Sequence, residues 1–241
     1  MIAFRTAPVI AATLAVLGAS LFSTPPAGSV TPLVPNLQPL RASSLRIETP
    51  GDGHTYLRFS TTSWNSGDGP LEIIGGATDA DTSKQQVYQR VYNSDGTYAD
   101  YFAGSFEWHA AHGHMHFNDY AIYTLDAVDA PGASQRTSAK TTFCIIDTTR
   151  MKRVKNAPRK PVYTTCGATV QGMSVGWGDT YGYWLAGQAV DVTGLPDGDY
   201  TLTIEVDPKG RIIETNDGDN ISTVRLRLAG GKVTVLDSRG P

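Results

Sequence analysis

The sequence predicts an all-β chain, a single β-sandwich-like domain with long loops after an N-terminal signal segment. Three observations carry that expectation. Short runs in which apolar and polar residues alternate recur along the chain. Turn-forming clusters rich in Gly, Pro, Asn and Asp separate them, drawn from 25 glycines and 14 prolines. No long stretch has helical periodicity. The 241 residues suffice for one full-sized domain, and neither a repeat nor a domain boundary is evident after Pro35.

The chain opens with Arg5, an apolar run from Ala7 to Phe22, and the small residues Ser23, Ala27, Gly28 and Ser29. That order is the pattern of a secretory signal, and the run is short for a spanning helix. Residues 1–28 are therefore expected to be a signal peptide cleaved between about Ser20 and Ser29, with an uncleaved anchor as the lesser alternative. Residues 29–47 follow as a Pro-rich linker and domain entry, and residues 48–241 as the main domain. The expected location is secreted or extracytoplasmic, with no stable membrane insertion.

Strands are expected at Thr55–Thr62, Leu71–Ile74, Gln86–Tyr92, Tyr120–Leu125, Thr141–Ile146, Thr201–Val206 and Ile221–Leu228. Asn65–Pro70, Asn93–Gly96, Leu195–Tyr200 and Asp207–Gly210 read as turns between them.

Four of the five histidines fall in the segment His109-Ala-Ala-His112-Gly-His114-Met-His116. If this segment is extended, His112, His114 and His116 project from one face, and His109 and Met115 from the other. Three imidazoles on one face can converge on a late transition metal. The alternative is a set of polar strand residues facing solvent. His109, on the opposite parity, reads as a structural residue or one that supports the ligands from behind.

In an oxidising compartment, the even pair Cys144 and Cys166 is expected to form a disulfide, worth roughly 3 kcal/mol. Two buried thiols are the competing state. A net charge of −3 favours neither nucleic acid nor an anionic membrane as partner. One segment departs from that balance. Arg150–Lys160 holds six cations and no acid, and reads either as a solvated loop or as a docking rim for an acidic partner.

Together these motifs resemble the lysyl oxidase family. Trp108-His109-x-x-His112-x-His114-x-His116 is similar to the family's copper-binding signature. Lys140-Thr-Thr-Phe-Cys144-Ile-Ile-Asp147-Thr148 is similar to the segment with its cofactor lysine. Cys166 to Gly182, through Gln171, Gly176, Asp179 and Tyr181, is similar to the segment with its cofactor tyrosine. The likeness runs from Val34 to about Leu228, in the family's order. It implies a copper-dependent amine oxidase of the compact microbial type, in which Lys140 and Tyr181 form a lysine tyrosylquinone. Copper and dioxygen oxidise the tyrosine ring, the lysine amine adds to it, and the quinone takes two electrons from a primary amine. The substrate would be a primary amine or a lysine-bearing protein, and the products an aldehyde, hydrogen peroxide and ammonia. Asp119 and Asp179 are the candidates for the general base, and either can equally be a hydrogen-bonding aspartate.

The resemblance also implies a calcium site. Glu214, Asn216, Asp219 and Asn220 gather oxygen ligands in one turn, and Asn36 and the Leu37 carbonyl would join them. An ordinary Asp/Asn/Gly hairpin loop is the competing reading. Ala111 and Ile122 stand where animal members carry a cysteine and a histidine, and the segment between Asp147 and Cys166 is longer. A non-catalytic copper-binding β domain of the same fold is the second functional reading. A cupin-like metal enzyme is a third, disfavoured because no glutamate follows His116 before Glu205.

Overall fold

The computed structural model describes residues 29–110, 112–132, 135–152 and 154–239. In chain order the strands are β1 (Pro32–Leu33), β2 (Leu37–Pro39), β3 (Ser43–Glu48), β4 (Tyr56–Asn65), β5 (Leu71–Thr78), β6 (Gln85–Asn93), β7 (Tyr98–His109), β8 (His114–Phe117), β9 (Ala121–Ala127), β10 (Arg136–Thr137), β11 (Thr149–Arg150), β12 (Val170–Met173), β13 (Trp177–Tyr181), β14 (Ala189–Asp191), β15 (Gly198–Val206), β16 (Ile221–Ala229) and β17 (Lys232–Arg239). The all-β expectation holds. The one helical element among the described residues is a 3₁₀ turn at Asp217–Asp219. The signal segment Ala7–Phe22 lies outside the described residues. Among those described, no helix is long and apolar enough to cross a membrane.

Three antiparallel sheets form. The first has the order β12-β5-β6-β7-β8, with β1 against β6; the second has the order β10-β9-β15-β16-β17. In the third, β11-β13-β4-β14, strand β4 also takes β2 and β3. Residues 29–47, read as linker and domain entry, therefore contribute β1, β2 and most of β3, and Leu37 is fully buried.

Period-two alternation sets the core. Tyr200, Leu202, Ile204 and Val206 of β15 point inward, as do Val224, Leu226 and Leu228 of β16 and Ala121, Tyr123 and Leu125 of β9. They join Leu57 and Phe59 of β4 in one buried cluster that also takes in Phe106 and Phe117. Fully burying each such side chain contributes about 1.5–3 kcal/mol.

Two expectations about strands fail. Thr141–Ile146 is irregular, with a single bridge between Phe143 and Phe117. Two of its amides are satisfied by side chains instead: Ile145 N donates to Gln171 Oε1 at 3.0 Å and Ile146 N to Asp179 at 3.4 Å. The histidine segment is not one extended strand. It is a hairpin that turns at Gly113, where φ is +68°, so that β7 ends at His109 and β8 starts at His114. His109 and His114 are paired across the two strands.

Candidate active site

The hairpin, the irregular segment after Lys140, and β13 meet around a cleft of about 360 Å³. His112, His114, His116, Lys140, Asp179 and Tyr181 all line it. The Cys144–Cys166 disulfide forms as expected and supplies part of the same wall.

The imidazoles converge. His116 Nε2 lies 3.0 Å from His114 Nε2 and 3.3 Å from His112 Nδ1. Nitrogens that share one ion at about 2 Å stand at such separations. His116 is 1% exposed, and burial, aided by the Lys140 charge, pushes its pKa down to about 3. Burial also lowers His112 and His114. All three are thus held neutral, the state a metal ligand needs. Thr142 Oγ1 sits 3.1 Å from His116 Nδ1, so the second nitrogen of that ring has a partner that fixes its orientation. The three-nitrogen donor set fits copper or zinc.

His109 belongs with this group, contrary to the parity reading. Its ring stacks on His112 at 4.2 Å and lies 4.5 Å from His116. Ligand nitrogens of His109, His112 and His116 all fall within 4.8 Å of one another. His109 Nδ1 is buried without a hydrogen-bond partner. The turn at Gly113 reverses the chain between His109 and His114, so parity along a single strand does not apply.

Lys140 Nζ lies 5.4 Å from the Tyr181 ring centre and 4.9 Å from that of Phe143. Burial lowers the Lys140 pKa, which enriches the free amine. Gly187 makes room for it: φ there is +74°, and a Cβ would lie 3.1 Å from Lys140 Cβ. Tyr181 is fixed at both ends. Its hydroxyl donates to the Cys144 carbonyl at 2.7 Å, and its ring packs edge-on against Phe143 at 4.9 Å.

The two aspartates separate. Asp179 is 3% exposed, and burial pushes it up to about 8, so it holds a proton near neutrality. It accepts from Thr148 Oγ1 at 3.3 Å. Asp119 is not among the lining residues. It adopts a left-handed φ of 58° and pairs with Arg211 at 3.2 Å. Asp147, in the matched segment but given no role from sequence, is a buried organiser. It accepts from Ser174 N and Val162 N, both at 2.8 Å, and from Ser174 Oγ at 2.7 Å. Thr142, Phe143 and Gly187 also escaped sequence reasoning, because their roles depend on contacts between distant segments.

The oxygen-rich cluster assembles away from this cleft. Asn36 Nδ2 donates to Asp219 Oδ2 at 3.0 Å, and Asn220 Nδ2 to Glu214 Oε1 at 2.7 Å. Asn36 Oδ1, Asp219 Oδ1 and Asn220 Oδ1 are buried without hydrogen-bond partners, an arrangement that fits a hard cation. Leu37 meets Glu214 through its amide, at 2.7 Å. Asn216 is exposed and caps the 3₁₀ turn by accepting from Gly218 N.

Comparison with known proteins gives one consistent result. The family model described as Lysyl oxidase matches residues 84–238. Lysyl oxidase homolog 1 from Homo sapiens is 28% identical over 173 residues, covering 68% of this chain and 28% of that protein. Protein-lysine 6-oxidase from Sus scrofa is 31% identical over 130 residues, covering 52% of this chain and 48% of its own length. Lysyl oxidase homolog 4 from Bos taurus is 31% identical over 133 residues, 16% of its length. The chain thus spans less than half the length of each of these relatives.

Proposed function

Because the chain belongs to the lysyl oxidase family, we propose that it is a secreted, copper-dependent amine oxidase whose quinone cofactor forms from Lys140 and Tyr181. Its substrates are primary amines, peptidyl lysine among them. The amine, dioxygen and water become an aldehyde, ammonia and hydrogen peroxide, two electrons passing from the carbon–nitrogen bond to dioxygen. The observation that carries this reading is the shared cleft. A desolvated lysine amine, a half-buried tyrosine and a neutral imidazole cluster face one space of about 360 Å³.

Copper on His112, His114 and His116, when bound, supplies with dioxygen the oxidation of the Tyr181 ring, and the finished quinone supplies an electrophilic carbonyl. The chain's own residues do the rest. Lys140 is presented to the ring with its amine desolvated, and Gly187 leaves it that position. The Cys144 carbonyl and Phe143 hold the Tyr181 ring still. Asp179 is the base for the substrate's α-proton: it lines the cleft, and its raised pKa suits proton exchange near neutral pH. Asp119 is a weaker candidate because Arg211 engages it.

Residues 1–28 act as the export signal, 29–47 supply the first strands of the domain, and 48–241 carry the oxidase site. The disulfide supports an oxidising location. Calcium is held by Asn36, Glu214, Asp219 and Asn220, and ties the chain before β2 to the turn before β16.

The decisive experiment is digestion of protein matured with copper in air and then reduced. One branched peptide joining the Lys140 and Tyr181 segments is expected, with a coloured adduct on addition of phenylhydrazine. Two separate, unmodified peptides would overturn the catalytic reading and leave a copper-binding β domain.

A further inference from the structure

The basic segment Arg150–Lys160 has no part in the chemistry above, yet both its flanks reach the cleft. Thr148 lines the cleft just before it, and Cys166 lines the cleft just after. The loop between them is anchored. Arg150 pairs with Trp177 in the β11–β13 ladder, and Met151 N donates to Gly176 O at 2.9 Å. Trp177 Nε1 donates to Pro158 O at 3.0 Å, and Val154 and Ala157 pack over Gly176. Val162 N is held by Asp147 at the far end.

Among the described residues, the cationic heads of this anchored loop carry no carboxylate partner, although Arg150 Nε donates to Pro158 O at 3.1 Å. Arg150, Lys152, Lys155, Arg159 and Lys160 are all exposed. None of the five meets a carboxylate among the described residues. Elsewhere Arg58, Lys84, Arg90, Arg211 and Arg227 each do. The contrast is larger than the net charge suggests. The segment's six cations sit in a chain of net charge −3, so the remainder is strongly negative. The cleft offers nothing to balance them, for Asp179, almost fully buried, is the sole carboxylate among its lining residues. A local field of one sign on an otherwise negative molecule selects partners of the opposite sign.

We propose that loop 150–160 is a docking rim for an acidic peptide segment, one that carries carboxylates at a fixed distance from the lysine presented to the cleft. The proposal rests on the amine-oxidase reading for the lysine, and on the loop alone for the carboxylates. Strand geometry gives the spacing. Trp177, beside Arg150, and Tyr181 stand at opposite ends of the strand β13. That separation is about 13 Å at ~3.3 Å per residue. An extended substrate covers the same distance in about four residues, so its carboxylates belong roughly four to six residues from the lysine.

The test uses the full-length, copper-matured protein and three labelled peptides with one lysine each. They carry glutamate, glutamine or arginine at the flanking positions. Anisotropy is expected to show the glutamate peptide binding at least about tenfold more tightly than the glutamine peptide, with the difference lost when salt rises from about 0.05 to about 0.5 M. Lys152→Glu with Lys155→Glu should abolish that preference while peroxide release from n-butylamine stays unchanged. If that pair fails to fold, Arg159→Gln with Lys160→Gln serves the same purpose. Equal binding of the three peptides overturns the proposal, as does a preference that survives in the folded variants. A loop that binds heparin fragments yet does not discriminate among the peptides also overturns it. Anisotropy does not need turnover. If no amine is oxidised and no phenylhydrazine adduct forms, the oxidase reading fails while peptide binding still decides the loop's role.

Discussion

Lys140 Nζ stands over the Tyr181 ring, 5.4 Å from its centre, with Phe143 beside both. The ammonium has lost water there without gaining a carboxylate, and burial lowers its pKa. Addition to an oxidised ring needs the free amine. Formation of the Lys140–Tyr181 crosslink should therefore accelerate as pH rises through the lowered Lys140 pKa, with a midpoint below the ordinary lysine value of about 10.4. Quinone absorbance followed after copper addition at a series of pH values measures it. A rate that does not change with pH would separate the Lys140 amine from the slow step.

Gly187→Ala tests the same geometry from the other side. The new Cβ would meet Lys140 Cβ at 3.1 Å in a left-handed conformation that costs roughly 1–2 kcal/mol for a non-glycine residue. The variant is expected to lose several degrees in Tm and to form the crosslink at least about tenfold more slowly, since a displacement near 1 Å is costly in a positioned reaction. Copper binding should be unchanged, because the nearest atoms to the new Cβ all belong to Lys140.

His116 hangs between its two histidine neighbours and Thr142. Thr142→Val removes the oxygen that orients the ring and keeps the shape. Copper affinity should fall by about 10–100-fold, as when a partner behind a metal ligand is lost. His109→Ala should weaken copper by a similar factor, because its ring stacks on His112. Titration against a competing chelator reads both. Unchanged affinity in either variant would show that the ring contacts carry no weight in the metal site.

These histidines also show how far the sequence could be read. Their crowding marked out the candidate metal site, because so few histidines occur elsewhere. Their arrangement was not evident, because a single glycine with positive φ turned a supposed strand into a hairpin. The β15–β16 pair was legible from alternation, and β6 with the turn after it from alternation and turn residues, while the first part of β7 was not. Thr141–Ile146 has strand-like composition, but Gln171 and Asp179 take amides that a neighbouring strand would otherwise pair. Both side chains lie downstream of the segment, and no local pattern announces them. Lys140 and Tyr181 stood out only through family resemblance, since a lone lysine or tyrosine carries no signal of its own. Asp119 and Asp179 were indistinguishable in sequence and separate only on burial.

Asp179 gives a second pH prediction. Burial raises it from 3.8 to about 8, so the folded state binds its proton more tightly than the unfolded chain does. Its stabilising contribution is fully present below pH 3.8 and is lost as pH rises through about 8. Asp179→Asn keeps the shape and removes the charge. The variant should be more stable than the parent at pH 9, by a margin that shrinks steadily as pH falls towards about 4, by thermal unfolding. If Asp179 is the base, turnover of the parent should rise with pH through about 8, and the variant should be inactive at every pH. A parent more stable than the variant at pH 9 would refute the buried-charge account.

The oxygen cluster predicts a calcium effect on stability. Three buried oxygens without partners stand among Asn36, Asp219 and Asn220. An ion that binds only the folded state stabilises it by about 2.7 kcal/mol at a hundred times its Kd. Millimolar calcium should raise Tm by several degrees, and Asp219→Asn should abolish the rise. No shift in the parent would return these residues to an ordinary hydrogen-bonded turn.

The disulfide joins the two halves of the site. Cys166 O accepts from Met115 N at 3.1 Å, on the strand that bears His114 and His116. Cys144 O accepts from the Tyr181 hydroxyl at 2.7 Å. One covalent bridge therefore links the histidine strand to Tyr181. Its loop closure contributes about 3 kcal/mol in the chain-entropy model. Changing both cysteines to alanine should lower Tm by several degrees on that ground alone. The positional role makes a separate prediction. At a temperature where the double variant stays folded, copper should still bind, because all the imidazoles remain. Crosslinking of Lys140 to Tyr181 should slow by more than copper affinity falls, because the carbonyl that holds the hydroxyl is no longer tied to the histidine strand. Equal losses in affinity and crosslinking rate would reduce the disulfide to a global staple. Unaltered crosslinking in a folded double variant would mean that β13 and Phe143 hold the ring without it.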